Sequence, residues 1–161
     1  GGDSTARAAG MEVRILDPRI RDWGIPDYQT AGSAAVDLFA CLDTALEIAP
    51  QAPAILISAG IALSFDDFSF AGLILPRSGQ GHRRGLVLGN STGLIDPDYT
   101  GEILISSWNR NPAGSPPIIV QPGERIAQMI FVPVLRPAFT VVDSFSRATA
   151  RAAGGFGSTG A

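Results

Sequence analysis

The chain has 161 residues, enough for one domain with a sizeable core. Hydrophobic residues make up 45% and charged residues 17%, with a net charge of −3. This excludes a disordered chain and leaves no basic field for a nucleic-acid polymer. The 19 glycines and 12 prolines exclude a bundle of long helices, and the single cysteine, Cys41, excludes an internal disulfide and points to a reducing, cytoplasmic compartment.

Residues 1–10 are small and polar and lack the apolar centre of a signal peptide. They are expected to be a disordered extension or an expression remnant. Short apolar runs bounded by turn residues follow in order: Met11–Leu16, Ala34–Ala40, Ala54–Ser58, Ile61–Phe65 and Phe70–Leu75. A short helix is predicted over Arg77–Arg84, because Pro76 suits a helix start and Gly85 a C-cap. Further strands are predicted at Glu102–Trp108, Ile118–Gln121, Ile126–Val134 and Phe139–Val142. The longest uncharged run, Ile48–Phe65, is broken by Pro50, Pro53 and Gly60, so it reads as buried strands rather than a membrane span. Many short strands with regular turns predict an all-β sandwich or barrel. A β-domain is expected over residues 11–146, and the Gly-rich residues 147–161 are expected to be a flexible arm.

Three segments carry chemistry. Pro76-Arg77-Ser78-Gly79-Gln80-Gly81-His82-Arg83-Arg84-Gly85 combines backbone N–H groups, a hydroxyl and guanidiniums, which suit a phosphate and equally suit a solvated basic turn. His82, the lone histidine, has no second imidazole with which to hold a metal. The segment from Gly89 to Gly101 carries Asp96 and Asp98 beside Tyr99. Such carboxylates can orient a water or hold a metal's water shell, but spacing alone favours a turn built for backbone geometry. In Arg151-Ala152-Ala153-Gly154-Gly155-Phe156-Gly157-Ser158-Thr159-Gly160, a lone aromatic among glycines suits stacking on a flat ligand, with a low-complexity end as the alternative. Two shorter signals are Asp37, an acid inside an apolar strand, and Arg125 with Gln128 at the start of another.

In chain order these five segments resemble the five motifs of the trimeric dUTPase family, with Gly93-Leu94-Ile95-Asp96 and Gly154-Gly155-Phe156-Gly157 intact. The similarity runs from about Met11 to Gly160 and is closest to the bacterial branch. It implies a jelly-roll-like distorted β-barrel that assembles as a homotrimer, with active sites at subunit interfaces and a C-terminal arm closing each. The implied reaction splits dUTP into dUMP and pyrophosphate with Mg²⁺, which limits uracil incorporation into DNA and supplies dUMP for dTTP synthesis. By position, the resemblance makes Asp96 the general base and puts Tyr99 under the deoxyribose. Asn90, Gly93, Leu94 and Ile95 would read uracil, with Leu104 lining that hairpin. Arg77, Ser78, Gly79 and Gln128 would contact phosphates, and Asp37 would hold water on Mg²⁺. Phe156 with Gly157 would stack over the base, while Arg151, Ser158 and Thr159 bind the γ end.

Four positions depart from the family pattern: Ala35 for Gly, Phe39 for Arg or Tyr, Gln80 for an apolar residue and Ala152 for Gly. None removes an implied catalytic group. The alternatives are a dCTP deaminase of the same fold and a catalytically silent trimeric module that binds nucleotides.

Overall fold

A computed structural model describes residues 10–147. The predicted arm residues Arg151, Phe156, Gly157, Ser158 and Thr159 lie outside the described residues, as do residues 1–9 of the predicted extension.

Ten strands form: β1 (Met11–Ile15), β2 (Val36–Phe39), β3 (Leu46–Ile48), β4 (Ile55–Phe65), β5 (Phe70–Pro76), β6 (Leu86–Leu88), β7 (Gly93–Ile95), β8 (Glu102–Asn109), β9 (Ile118–Val120) and β10 (Arg125–Pro133). One sheet has the order β1-β4-β8-β6, a second β2-β10-β5-β7, and β3 pairs with β9. Every pairing is antiparallel. One short helix, α1 (Ile20–Trp23), and one π-helical turn, Gly79–Arg84, complete the described elements. No described helix is long and apolar enough to cross a membrane.

β8 shows why the sheets pack as they do. Ile103, Ile105, Ser107 and Asn109 are buried, while Glu102 and Leu104 face outward. This period-2 alternation leaves one apolar face, which must be covered. Ile57, Ile61, Ile103 and Ile105 from the first sheet and Leu38, Ile74 and Met129 from the second form one core with Ile48, Ile118 and Val120 of the third. The result is the all-β, jelly-roll-like architecture.

Several local expectations change. The runs Ala54–Ser58 and Ile61–Phe65 are one strand, β4, because Gly60 adopts φ +72° within a register shift between Ser58 and Ala62. The Ser58 hydroxyl accepts a hydrogen bond from the Gly60 N–H at 2.9 Å, which stabilises the bulge. The predicted helix over Arg77–Arg84 is a π-helical turn that ends at Gly85 with φ +86°. The predicted strand Phe139–Val142 does not form; this segment is irregular, and Phe139 and Val141 are 91% and 97% exposed. A strand needs a ladder partner, and none of the described strands pairs with it.

Candidate active site

The second sheet carries most of the singled-out residues. Asp37 on β2 lies opposite Gln128 on β10, and Gln128 lies opposite Leu75 on β5. Arg77 follows at the end of β5. Its Nε sits 2.9 Å from Asp37 Oδ1, and Arg125 Nη1 is 3.7 Å from Asp37 Oδ2. The Asp37 side chain is 14% exposed, so two guanidiniums satisfy a largely buried carboxylate. Gln128 Nε2 donates to the Pro76 carbonyl at 3.0 Å, tying β10 to the start of the turn.

The Pro76–Gly85 segment is clamped from three sides. Arg84 Nη1 pairs with Glu124 Oε2 at 2.6 Å and donates to Gln80 Oε1 at 2.9 Å, while Arg84 Nη2 donates to the Ile119 carbonyl. Arg110 Nη2 donates to the carbonyls of Gly81 and His82 at 2.8 and 3.1 Å. Asn111 Nδ2 donates to the Arg84 carbonyl at 2.9 Å. Ser78 and Gly79 are left exposed at the front of the turn. A rigid loop that presents a hydroxyl beside Arg77 suits an anion. Arg84 and Arg110 were not singled out from sequence as site residues. The available signal was the position of Arg84 immediately before the Gly85 cap.

The Asn90–Gly101 hairpin forms the other group. Gly93 on β7 packs against Ile74 and Asn90, and β7 pairs with β5 through Gly93–Ile74, Leu94–Leu73 and Ile95–Gly72. Leu94 is 62% exposed. Asp96 starts a turn that the Tyr99 N–H closes onto the Asp96 carbonyl at 3.0 Å. The Tyr99 hydroxyl donates to the Glu102 carbonyl at 2.6 Å, fixing the ring against the root of β8. Leu104 lies two residues further on the outer face of that strand. Asp96, Asp98, Leu94 and Pro97 line a cavity of about 390 Å³ with Phe68 and Arg136.

One chain does not unite these two groups. Asp96 lies just beyond the Ile95–Gly72 pair, whereas Asp37, Gln128 and Arg77 cluster at the Leu75–Pro76 end. That is ~13 Å along β5, and Asp37 is ~14 Å further across three strand spacings. A general base must come within ~3 Å of the water it activates. Among the described residues, therefore, no single-chain site gives Asp96 and the Arg77–Asp37 cluster the same reacting atom.

Among the described residues no three His, Cys, Asp or Glu side chains converge. A metal caged wholly by these residues does not fit. An Mg²⁺ that keeps its waters and binds through substrate phosphates needs few protein ligands, and a single carboxylate such as Asp37 fits that requirement.

The family model described as dUTPase matches residues 21–160. A deoxyuridine 5'-triphosphate nucleotidohydrolase of Acinetobacter baumannii is 52% identical over 151 residues, covering 93% of this chain and 97% of that protein. One from Klebsiella pneumoniae is also 52% identical, covering 93% and 96%. Among solved structures, the Staphylococcus bacteriophage 80alpha dUTPase with dUpNHpp superimposes with a TM-score of 0.73 at 24% identity, covering 92% of this chain and 97% of that one. A mutant dUTPase from phage phi11 of S. aureus, described with a structural Mg(II) ion, gives 0.71 at 22% identity, covering 86% and 99%.

Proposed function

The chain belongs to the dUTPase family, and from that premise we infer that it hydrolyses dUTP to dUMP and pyrophosphate. The observation that carries this reading is the rigid Arg77–Asp37–Gln128 cluster facing an exposed Ser78, in a chain that also keeps the Asp96–Tyr99 turn.

Hydrolysis of a polyphosphate needs neutralised charge and an aligned water. Arg77 and Arg125 supply local positive charge despite the acidic chain. Ser78, Gly79 and Gln128 hold the phosphates around the scissile bridge. Mg²⁺, when bound, would supply charge neutralisation at the phosphates, and Asp37 would hold it through its waters. Asp96 takes the proton of the attacking water. Tyr99, locked to Glu102, packs under the deoxyribose and leaves no room for a 2′-hydroxyl. The hairpin groups from Asn90 and Gly93 to Ile95, with Leu104 beside them, read the uracil edge. A mismatched edge would leave polar groups unpaired, which gives strong discrimination.

Trimerisation unites the two halves of the site. The ~13 Å gap within one chain supports a site in which one copy brings Asp96 and another brings Arg77 and Ser78. The apolar strip Leu135, Phe139, Val141 and Phe145, each at least 85% exposed, supports burial against a further copy. Residues 147–161 are the closing arm: Phe156 and Gly157 cover the base, and Arg151, Ser158 and Thr159 hold the γ end. The lone Cys41 supports a reducing compartment, the cytoplasm.

The deciding assay is pyrophosphate release from dUTP with Mg²⁺, beside dTTP, dCTP and UTP. Release from dUTP alone is expected. Ammonia from dCTP without dUMP from dUTP would replace this reading with a deaminase. No turnover by well-folded protein would leave a silent binding module. Removing residues 151–161 should leave a folded assembly with little activity, and normal turnover by that truncation would sink the arm assignment.

A further inference from the structure

We propose that Trp23 is a positioning residue for the phosphate turn, acting through Gly123 and Glu124 on Arg84. The proposal rests on the dUTP-hydrolysing reading of the same site. It adds a residue from α1, which lies outside all five motif segments.

The contact between α1 and the β9–β10 turn is the first observation. A Cβ at Gly123 would meet Trp23 Cγ, Cδ1 and Nε1, each at 2.8 Å. Equal distances to three atoms of the five-membered ring mean that the indole meets the backbone face-on. Gly123 also has φ +76°. Glycine leaves the chain more conformational freedom than any other residue. The ring restrains that freedom by filling the space a side chain would occupy.

The ring is itself held. The Arg19 guanidinium carbon lies 5.0 Å from the Trp23 ring centroid, within cation–π range. Arg19 is locked in turn. Asp17 accepts from its Nε and Nη2 at 3.0 and 2.6 Å, Asp43 pairs with Nη2 at 2.8 Å, and the Leu42 carbonyl accepts from Nη1 at 3.1 Å. The next residue along α1, Gly24, packs on Phe39, since a Cβ there would come 2.5 Å from the Phe39 Cζ. The Phe39 ring lies 5.6 Å from the Arg125 guanidinium carbon. The end of α1 therefore supports the entrance of β10 at two points.

From Gly123 the contacts run to the phosphate turn. The Gly123 N–H donates to the Ala40 carbonyl at 2.8 Å, and the Ala40 N–H donates to the Glu124 carbonyl at 2.7 Å. These bonds hold the main chain beside the end of β2. The Glu124 carboxylate then meets Arg84 Nη1 at 2.6 Å. A displacement of about 1 Å at Glu124 takes that contact beyond hydrogen-bond range. Arg84 clamps the segment that presents Arg77 and Ser78, so loss of the ring should loosen contacts to phosphate and spare those to the nucleoside.

The test is calorimetric titration of the full chain in Mg²⁺ buffer with two probes, dUpNHpp and deoxyuridine, on variants shown to be folded by thermal melts. Trp23→Leu should weaken dUpNHpp roughly fivefold and leave deoxyuridine unchanged. Trp23→Phe, which keeps a ring face for Gly123, should stay within about twofold of wild type. In turnover Trp23→Leu should raise KM for dUTP roughly fivefold with kcat within about twofold. Because Trp23 acts through Arg84, the double variant Trp23→Leu/Arg84→Met should bind dUpNHpp no more weakly than Arg84→Met alone. Equal weakening of both probes by Trp23→Leu would mean a general structural role and overturn the proposal. So would unchanged dUpNHpp affinity, full additivity in the double variant, or a Trp23→Phe variant as weak as Trp23→Leu. If Trp23→Leu does not fold, Arg19→Met decides instead, because it leaves the indole and removes the cation that holds it. It should weaken dUpNHpp roughly threefold with deoxyuridine unchanged, and unaltered dUpNHpp binding would overturn the proposal. Wild-type protein that binds no dUpNHpp would overturn the dUTP reading and this proposal with it, whereas wild-type binding with an unaffected Trp23→Leu would overturn the positioning role alone.

Discussion

Arg84 is the side chain on which the phosphate turn hangs, and Arg84→Met isolates its contribution. The substitution keeps an unbranched apolar stem and deletes the guanidinium. Three contacts go: the ion pair to Glu124 Oε2 at 2.6 Å, the hydrogen bond to Gln80 Oε1 at 2.9 Å and the one to the Ile119 carbonyl. The ion-paired side chains are 30% and 23% exposed, so solvent screening holds that pair to about 1 kcal/mol. Each remaining hydrogen bond contributes about 1 kcal/mol net. The expected loss is therefore about 2–3 kcal/mol. It should be measured by urea denaturation at fixed protein concentration, because self-association would otherwise shift the midpoint. A double-mutant cycle with Glu124→Gln should return a coupling of about 1 kcal/mol. In turnover, KM for dUTP should rise more than kcat falls, since the turn that holds the phosphates loosens. A stability change within about 0.5 kcal/mol, the range of an ordinary surface substitution, would refute the clamp.

Asp96→Asn should abolish turnover while dUpNHpp still binds, and full activity in that variant would remove Asp96 as the base. Asp17 is held well below the usual carboxylate range by the Arg19 side chain and then by the Arg19 N–H, at 2.6 and 2.9 Å. A lowered folded value means this stabilisation is present above about pH 4 and is lost as the pH falls through and below that value. The stability deficit of Asp17→Asn should accordingly be largest near neutrality and shrink in acid, as followed by denaturation from pH 7 to pH 3. Gly85→Ala should destabilise by about 1–3 kcal/mol, because it puts a side chain at φ +86° and against Asn111. A thermal melt unchanged from wild type would contradict that.

Much of the fold was legible in the chain because the pattern is local. The alternation in Glu102–Asn109 and the apolar run from Ile126 each announce a strand, and Gly85 announces the end of a helical turn. β3, β6 and β7 were missed because three residues are too few to show a period, and the equally short β9 stood out only through the turn residues on either side of it. Phe139–Val142 misled for the opposite reason: its residues favour a strand, but within one described chain nothing pairs with it. Of the site residues, the Asp37–Arg77–Gln128 cluster was anticipated as separate motifs. Its clamps, Arg84 and Arg110, were not, because guanidinium partners forty or twenty-nine residues away leave no local trace.

The sequence alone determined the all-β class, the turn positions and, through five ordered motifs, the family. These depend on residue type and short spacing, which the chain states directly. Only the tertiary structure decided that β10 sets Gln128 between Asp37 and the Leu75–Pro76 end of β5, and that Phe39 lies under Arg125. It alone set Asp96 apart from that cluster at the other end of β7. Strand register is a long-range quantity, fixed by which apolar faces bury together. That register is what divides the site into two halves and makes a second copy of the chain part of the chemistry we infer.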